Sequence, residues 1–319
     1  MDKLEKIQSF SMKIDTIYDE LGQKIIGQKT LIRDLLIGLF CSGHILIEGA
    51  PGLAKTLTVD SLSKTLDLDF KRIQFTPDLL PSDLVGNNIY NPSKNEFYIK
   101  SGPIFTNFLL ADEINRAPSK VQSALLESMA EKQVTIGDTT FKLEKPFIVL
   151  ATQNPIEQEG TFSLPEAQLD RFLLKSIVDY PTEDEELKIL KNISSIEKVN
   201  LKKLLNKNEI FEIQDLIENI EVGDSIINYI KDIVFYTRNK TDISKYLSYP
   251  VSPRASISLL KSSKALAFLN GRDYVIPEDI KQMAYPILRH RIILNYEAIA
   301  DEILVDNIIK IILENTKIS

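Results

Sequence analysis

A short apolar run, His44-Ile-Leu-Ile-Glu48, empties into Gly49-Ala-Pro-Gly-Leu-Ala-Lys55-Thr56, and the residues that follow, Leu57 to Leu66, carry a helical pattern. Few folds admit that order. The turn must sit at the carboxyl edge of a sheet, with the helix's positive end and its free N–H groups aimed at whatever lies above it. Gly49, Ala50, Pro51, Gly52, Leu53 and Ala54 would supply the backbone of an anion cradle. Lys55 can reach the β- and γ-phosphates of a nucleotide as a point charge, and the Thr56 hydroxyl can ligate Mg²⁺. The segment predicts a nucleoside triphosphate site. Ala54 stands where glycine commonly precedes the lysine, and its single methyl still lets backbone approach phosphate.

Further short apolar runs, Phe70 to Phe75, Phe108 to Asp112, Phe147 to Thr152 and Phe172 to Val178, alternate with helical stretches. That alternation predicts an α/β domain around a parallel sheet covered on both faces. Two segments interrupt it as hairpins: Asn88 to Lys100, turning at Asn91-Pro-Ser-Lys-Asn95, and Gln133 to Leu143, turning at Gly137-Asp138. Helices are expected over residues 4 to 21 and 28 to 40. At Tyr180-Pro181-Thr182 the pattern changes, because Thr182 and Glu185 form a capping-box signature and everything after reads as helices. The boundary is placed there: residues 1–181 form the α/β domain and 182–319 a small all-helical domain.

Two apolar runs end in chemistry. Phe108-Leu-Leu-Ala-Asp112-Glu113 delivers two acids at a strand end, where Asp112 can hold the Mg²⁺ shell opposite Thr56 and Glu113 can orient and deprotonate an attacking water. Phe147-Ile-Val-Leu-Ala-Thr152-Gln-Asn154-Pro155 brings Asn154 to the same edge of the sheet, within reach of a γ-phosphate or the water.

Only nine of the 38 basic residues are arginine. Where lysine serves the general surface, an arginine points to a need for a planar, bidentate, permanently charged fork. Arg171, just before the last sheet run, and Arg254, at a helix start in Ser252-Pro-Arg-Ala255, are candidates to contact phosphate; structural salt bridges remain the alternative for each.

These segments, with Gln74-Phe-Thr-Pro-Asp-Leu-Leu-Pro-Ser-Asp83, Gly102-Pro-Ile-Phe105, Ala111-Asp-Glu-Ile-Asn-Arg-Ala-Pro118, Ala124-Leu-Leu-Glu-Ser-Met129 and Leu164-Pro-Glu-Ala-Gln-Leu-Asp-Arg-Phe172, resemble the AAA+ ATPases of the P-loop class, and within them the MoxR family. Ala54 belongs to that family's version of the cradle. The resemblance implies that Lys55 and Thr56 are the Walker A pair, Asp112 and Glu113 the Walker B pair, Asn154 sensor 1, Arg254 sensor 2, and Arg171 an arginine finger acting on a neighbour's nucleotide. Ile25, Ile26 and Gly27 resemble the segment that packs against adenine, and Arg116 an intersubunit or lid contact. The hairpins resemble the helix-2 insert and the pre-sensor-1 hairpin. The resemblance further implies ATP and Mg²⁺ as cofactors, hydrolysis of ATP in a homo-oligomeric ring, a hexamer, and chaperone-like remodelling of a protein client together with a von Willebrand factor A domain protein.

A formal net charge of −7 argues against a continuous nucleic-acid-binding face. The lone Cys41 excludes an intrachain disulfide, and the two histidines, His44 and His290, are expected to be structural. The charged N-terminus lacks a signal-peptide core and no apolar run spans a bilayer, so a cytoplasmic location is expected. Asn239-Lys-Thr-Asp242 and Asp83-Leu-Val-Gly86 match guanine- and phosphate-reading patterns of GTPases, but neither follows a strand-like run. A nucleotide-sensing scaffold with little turnover and a DNA-associated motor are the remaining alternatives.

Overall fold

Each apolar run alternates its side chains between two faces, and the core divides accordingly. In a computed structural model, which describes residues 2–154, 162–196, 198–239 and 242–318, Ile45 and Ile47 face one core while Leu46 between them faces the other; Phe108 and Leu110 oppose Leu109 and Ala111, and Ile148 and Leu150 oppose Val149 and Ala151. That two-residue period is what a strand buried on both faces requires.

The chain opens with helices α1 (Lys3–Gly22) and α2 (Lys29–Phe40), then strand β1 (Ile45–Glu48), helix α3 (Lys55–Thr65) and strand β2 (Phe70–Gln74). Helix α4 (Pro81–Val85) leads to the hairpin β3 (Gly86–Asn91) and β4 (Glu96–Ser101), followed by β5 (Phe108–Asp112) and α5 (Ser119–Glu131). A second hairpin, β6 (Gln133–Ile136) and β7 (Thr139–Lys142), precedes β8 (Ile148–Gln153), α6 (Glu166–Leu169) and β9 (Leu174–Ile177). All five expected sheet strands and both hairpins are present. The base of the first hairpin is held by close backbone approach: a Cβ on Gly102 would stand 2.2 Å from the Leu84 carbonyl oxygen.

The five sheet strands are parallel, in the order β2-β5-β8-β1-β9. Pairing sets Ile45 against Leu150, Ala111 against Ala151 and Gln74 against Asp112, so the carboxyl ends of β2, β5, β8 and β1 open side by side. Helices α4 and α5 and the β6–β7 hairpin cover one face. Helices α1, α2 and α3 cover the other.

Beyond β9 the chain is helical: α7 (Glu183–Ile196), α8 (Lys207–Glu218), α9 (Asp224–Tyr236), α10 (Pro253–Leu269), α11 (Pro277–Leu288), α12 (Tyr296–Ala300) and α13 (Val305–Asn315). Helix α7 starts at the expected capping box, where the Glu185 carboxylate accepts from the Thr182 amide at 2.9 Å and its hydroxyl at 3.0 Å. Two short strands, β10 (Leu247–Tyr249) and β11 (Ile293–Leu294), pair antiparallel within this region, a detail that helical periodicity alone does not register. One apolar core runs from α1, α2 and the sheet into α8, α9, α10, α11 and α13.

Candidate functional site

The loop after β1 needs its glycines for two different reasons, close backbone approach and a left-handed turn. A Cβ on Gly49 would lie 2.8 Å from the Val178 carbonyl oxygen, and Gly52 adopts a φ of +83°. Ala54 is also left-handed, with φ 55° and ψ 19°. For a non-glycine residue that conformation costs about 1–2 kcal/mol, strain of the kind that collects at functional sites. Ala54 is also the N-cap of α3 and offers no side-chain acceptor. The first-turn N–H groups are therefore left for an anion. Lys55 begins α3, and its ammonium donates to the carbonyls of Gly49 at 2.6 Å and Ala50 at 3.1 Å. Burial draws the Lys55 ammonium down from its usual value, while Asp112 and Glu113 oppose that shift.

Opposite the loop, β5 ends at Asp112, and Glu113 after it is again left-handed, with φ 56° and ψ 50°. Thr152, on β8, joins the two acids: its hydroxyl donates to Asp112 Oδ1 at 2.7 Å and accepts from the Glu113 amide at 2.9 Å. Arg72 holds the other Asp112 oxygen, Nε to Oδ2 at 2.7 Å, from the same face of the neighbouring strand. Arg116 Nε stands 2.9 Å from Glu113 Oε2, an ion-pair contact without the alignment of a hydrogen bond. One cavity of about 380 Å³ is lined by Pro51, Gly52, Leu53, Ala54, Lys55, Thr56, Leu57, Arg72, Asp112, Glu113, Thr152 and Asn154. Residues far apart in sequence thus meet in a single pocket.

The donors suit a hard cation. Thr56 offers a hydroxyl and Asp112 a carboxylate, the sparse oxygen set Mg²⁺ takes when phosphates and water complete its shell. Among the described residues no cluster of three or more His, Cys, Asp or Glu side chains could hold a metal ion by itself.

Arg171 and Arg254 are not in this cavity. Both line a second one, with His44, Lys132, Asp170, Lys261 and Arg291 among its walls. Arg171 is exposed, its guanidinium donating to the Leu126 carbonyl at 3.0 Å. Arg254 lies 3.5 Å from Asp170. Arg254 thus shares the face of Arg171 rather than the cavity of Lys55 and Asp112, because α10 begins beside the Asp170 segment. The adenine-side residues are likewise outside the cavity lining; Ile25 is buried in the core, Ile26 is half-buried, and Gly27 packs against the Glu185 carboxylate.

Sequence reasoning gave no role to Arg72, Thr152, Asp170 or Arg291. Arg72 and Arg291 carried one usable signal, the scarcity of arginine. Of the GTPase-like motifs, Asp83-Leu-Val-Gly86 lies in and after helix α4 rather than at a sheet edge, and Asn239 follows α9, while Lys240 and Thr241 lie outside the described residues.

Residues 44–174 match the AAA family, ATPases associated with various cellular activities, and residues 239–312 match the AAA lid domain. The chain is 44% identical to Chaperone MoxR1 of Mycobacterium tuberculosis over 92% of its length and 79% of that protein's. It is also 44% identical to YeaC of Bacillus subtilis, covering 94% of this chain and 93% of that one. A crystal structure from Cytophaga hutchinsonii superposes with a TM-score of 0.93 at 53% identity, over 99% of this chain and 97% of the other. Among the described residues no helix is long and apolar enough to cross a membrane.

Proposed function

Because the chain belongs to the MoxR family of AAA+ ATPases, we propose that it hydrolyses ATP with Mg²⁺ at a seam between protomers, each giving one half of the site. The observation that carries this is the division of phosphate-directed side chains between two faces. Lys55, Thr56, Asp112, Glu113 and Asn154 share one cavity, and Arg171 with Arg254 share another.

In this reading the α3 N-terminus and Lys55 bind the β- and γ-phosphates, and Thr56 and Asp112 hold Mg²⁺, which when bound neutralises charge developing on the phosphoryl oxygens. Glu113 takes a proton from the attacking water, which Asn154 orients. Thr152 holds the Asp112 carboxylate and the Glu113 backbone together, so the two acids keep their places at the end of β5. Arg171 of one protomer reaches the γ-phosphate held by the next, making turnover conditional on assembly. Arg254 acts from the same face, and Ile25, Ile26 and Gly27 border the adenine side.

The assembly is a ring, a hexamer, in which the helical domain of residues 182–319 moves against the α/β domain of 1–181 and passes that motion to a protein client. Similarity to a protein named a chaperone supports remodelling of a client, with a von Willebrand factor A domain protein as partner and the cytoplasm as location. Arg171→Ala tests the catalytic part. It should bind a fluorescent ATP analogue as wild type does and lose about 10³-fold or more in turnover, while near-normal turnover under assembling conditions would remove Arg171 from the role. Pull-down with Glu113→Gln, which should hold ATP, identifies the client.

A further inference from the structure

The segment bearing Arg171 is gripped from outside the α/β domain, by the ends of two helices that lie far along the chain. Arg291, three residues past α11 and only 6% exposed, directs most of its guanidinium hydrogen bonds to residues around Arg171. Its Nε donates to Asp170 Oδ1 at 2.9 Å, and its terminal nitrogens donate to the carbonyls of Asp170 at 3.4 Å, Phe172 at 2.7 Å and Leu173 at 3.1 Å. The remaining bonds go to its own helix and to α10, at the Ile287 carbonyl (2.6 Å) and Ser258 Oγ (3.3 Å). His290 adds Nε2 to the Phe172 carbonyl at 3.1 Å. At the start of α10, Ser252 Oγ donates to the second Asp170 oxygen at 2.9 Å, with Arg254 3.5 Å from it.

We propose that Arg291 and Asp170 form a buried latch through which the helical domain sets where Arg171 is presented to the neighbouring protomer. Among the described residues the Arg171 side chain makes one hydrogen bond, to the Leu126 carbonyl. Its reach is therefore decided by the backbone of residues 170–173, which Arg291 pins on both sides of it. A buried ion pair contributes little net stability compared with apolar packing but fixes geometry closely. A fork with five donors suits the task, because it can hold a carboxylate and several carbonyls at once. Arg291 and Asp170 are positioning residues: they act through the backbone that carries Arg171 and lie outside the cavity of Lys55 and Asp112, and a shift of about 1 Å in a reacting group can cost about 10²-fold in rate. A helical domain that moves during the cycle would carry the guanidinium of Arg171 with it.

The proposal rests on the reading of Arg171 as acting across the seam, and one mixing experiment separates the two. Arg291→Gln should lower kcat about 10- to 100-fold while KM for ATP stays within about twofold. Equimolar Arg291→Gln and Glu113→Gln chains are then co-assembled, with mixed rings verified by native mass, alongside Arg171→Ala with Glu113→Gln. Glu113→Gln supplies an intact Arg171 to a neighbour whose own acids are intact. Both mixtures should exceed the mean of their parents by about threefold or more, on the scale an arginine in trans allows. If Arg171→Ala is rescued and Arg291→Gln is not, the latch is overturned. If neither is rescued, the seam reading fails and the latch with it. Should Arg291→Gln lose its cooperative thermal transition, Asp170→Asn, which keeps the shape and removes the ion pair, replaces it with the same outcomes.

Discussion

The cavity of Lys55 and Asp112 and the arginine face both concentrate charge, yet they are built in opposite ways. In the cavity, the side chains come from or just after the parallel strands β2, β5 and β8, from the turn after β1 and from the first turn of α3, and Asp112 is held by Arg72, whose side chain is half exposed. On the arginine face, Asp170 is held by Arg291, whose side chain is 2% exposed, and the partners arrive from helix ends roughly eighty to one hundred and twenty residues further on. An exposed guanidinium can leave a carboxylate at little cost, whereas a buried one cannot. The ion pair at the cavity is therefore the one that can be exchanged at little cost, and the pair on the arginine face the one that is costly to part.

That contrast can be broken from the cavity side. Thr152→Val keeps the volume but strips one partner from Asp112 and the side-chain acceptor from the Glu113 amide. Leaving such buried groups unmatched costs about 1–3 kcal/mol, so turnover should fall about 10- to 100-fold while assembly measured by native mass is unchanged. Unchanged turnover would mean that Thr152 does not hold the acids.

The arginine face can be probed with acid. His44, which lines it, is buried; its Nδ1 accepts from the Val149 amide at 3.0 Å and its Nε2 donates to the Met129 carbonyl at 3.1 Å. Burial lowers its pKa from 6.5 to about 4, the Met129 bond opposing and Lys132 adding to the shift. The unfolded chain takes up this proton near 6.5 and the folded chain only near 4, so stability is fully present above 6.5 and declines as pH falls through that window. Between pH 7 and pH 5 the loss should be about 2 kcal/mol, seen as a difference in urea-unfolding free energy between wild type and His44→Gln. A wild type no more acid-sensitive than the variant would show that His44 is not held neutral.

The same two regions mark how much was legible in the sequence. The five strands, both hairpins and the capping box at Thr182 were readable because each rests on local periodicity or turn chemistry. The cavity was readable because Lys55, Asp112 and Asn154 each follow an apolar run, and a parallel sheet brings such ends together. Arg72 and Thr152 escaped because their roles depend on strand register, which sets Gln74 level with Asp112 and Ala111 level with Ala151. Asp170 and Arg291 escaped because nothing in either stretch of chain announces the other. Left-handed Ala54 and Glu113 escaped as well, since strain at a non-glycine residue has no compositional mark.

Division of the site between protomers is tested most directly by turnover per chain against protein concentration, with native mass followed in parallel at saturating ATP and Mg²⁺. Turnover per chain should rise steeply as the ring assembles and fall toward nothing where the chain is monomeric. A value that stays constant through dilution into monomers would mean that one chain carries the whole site.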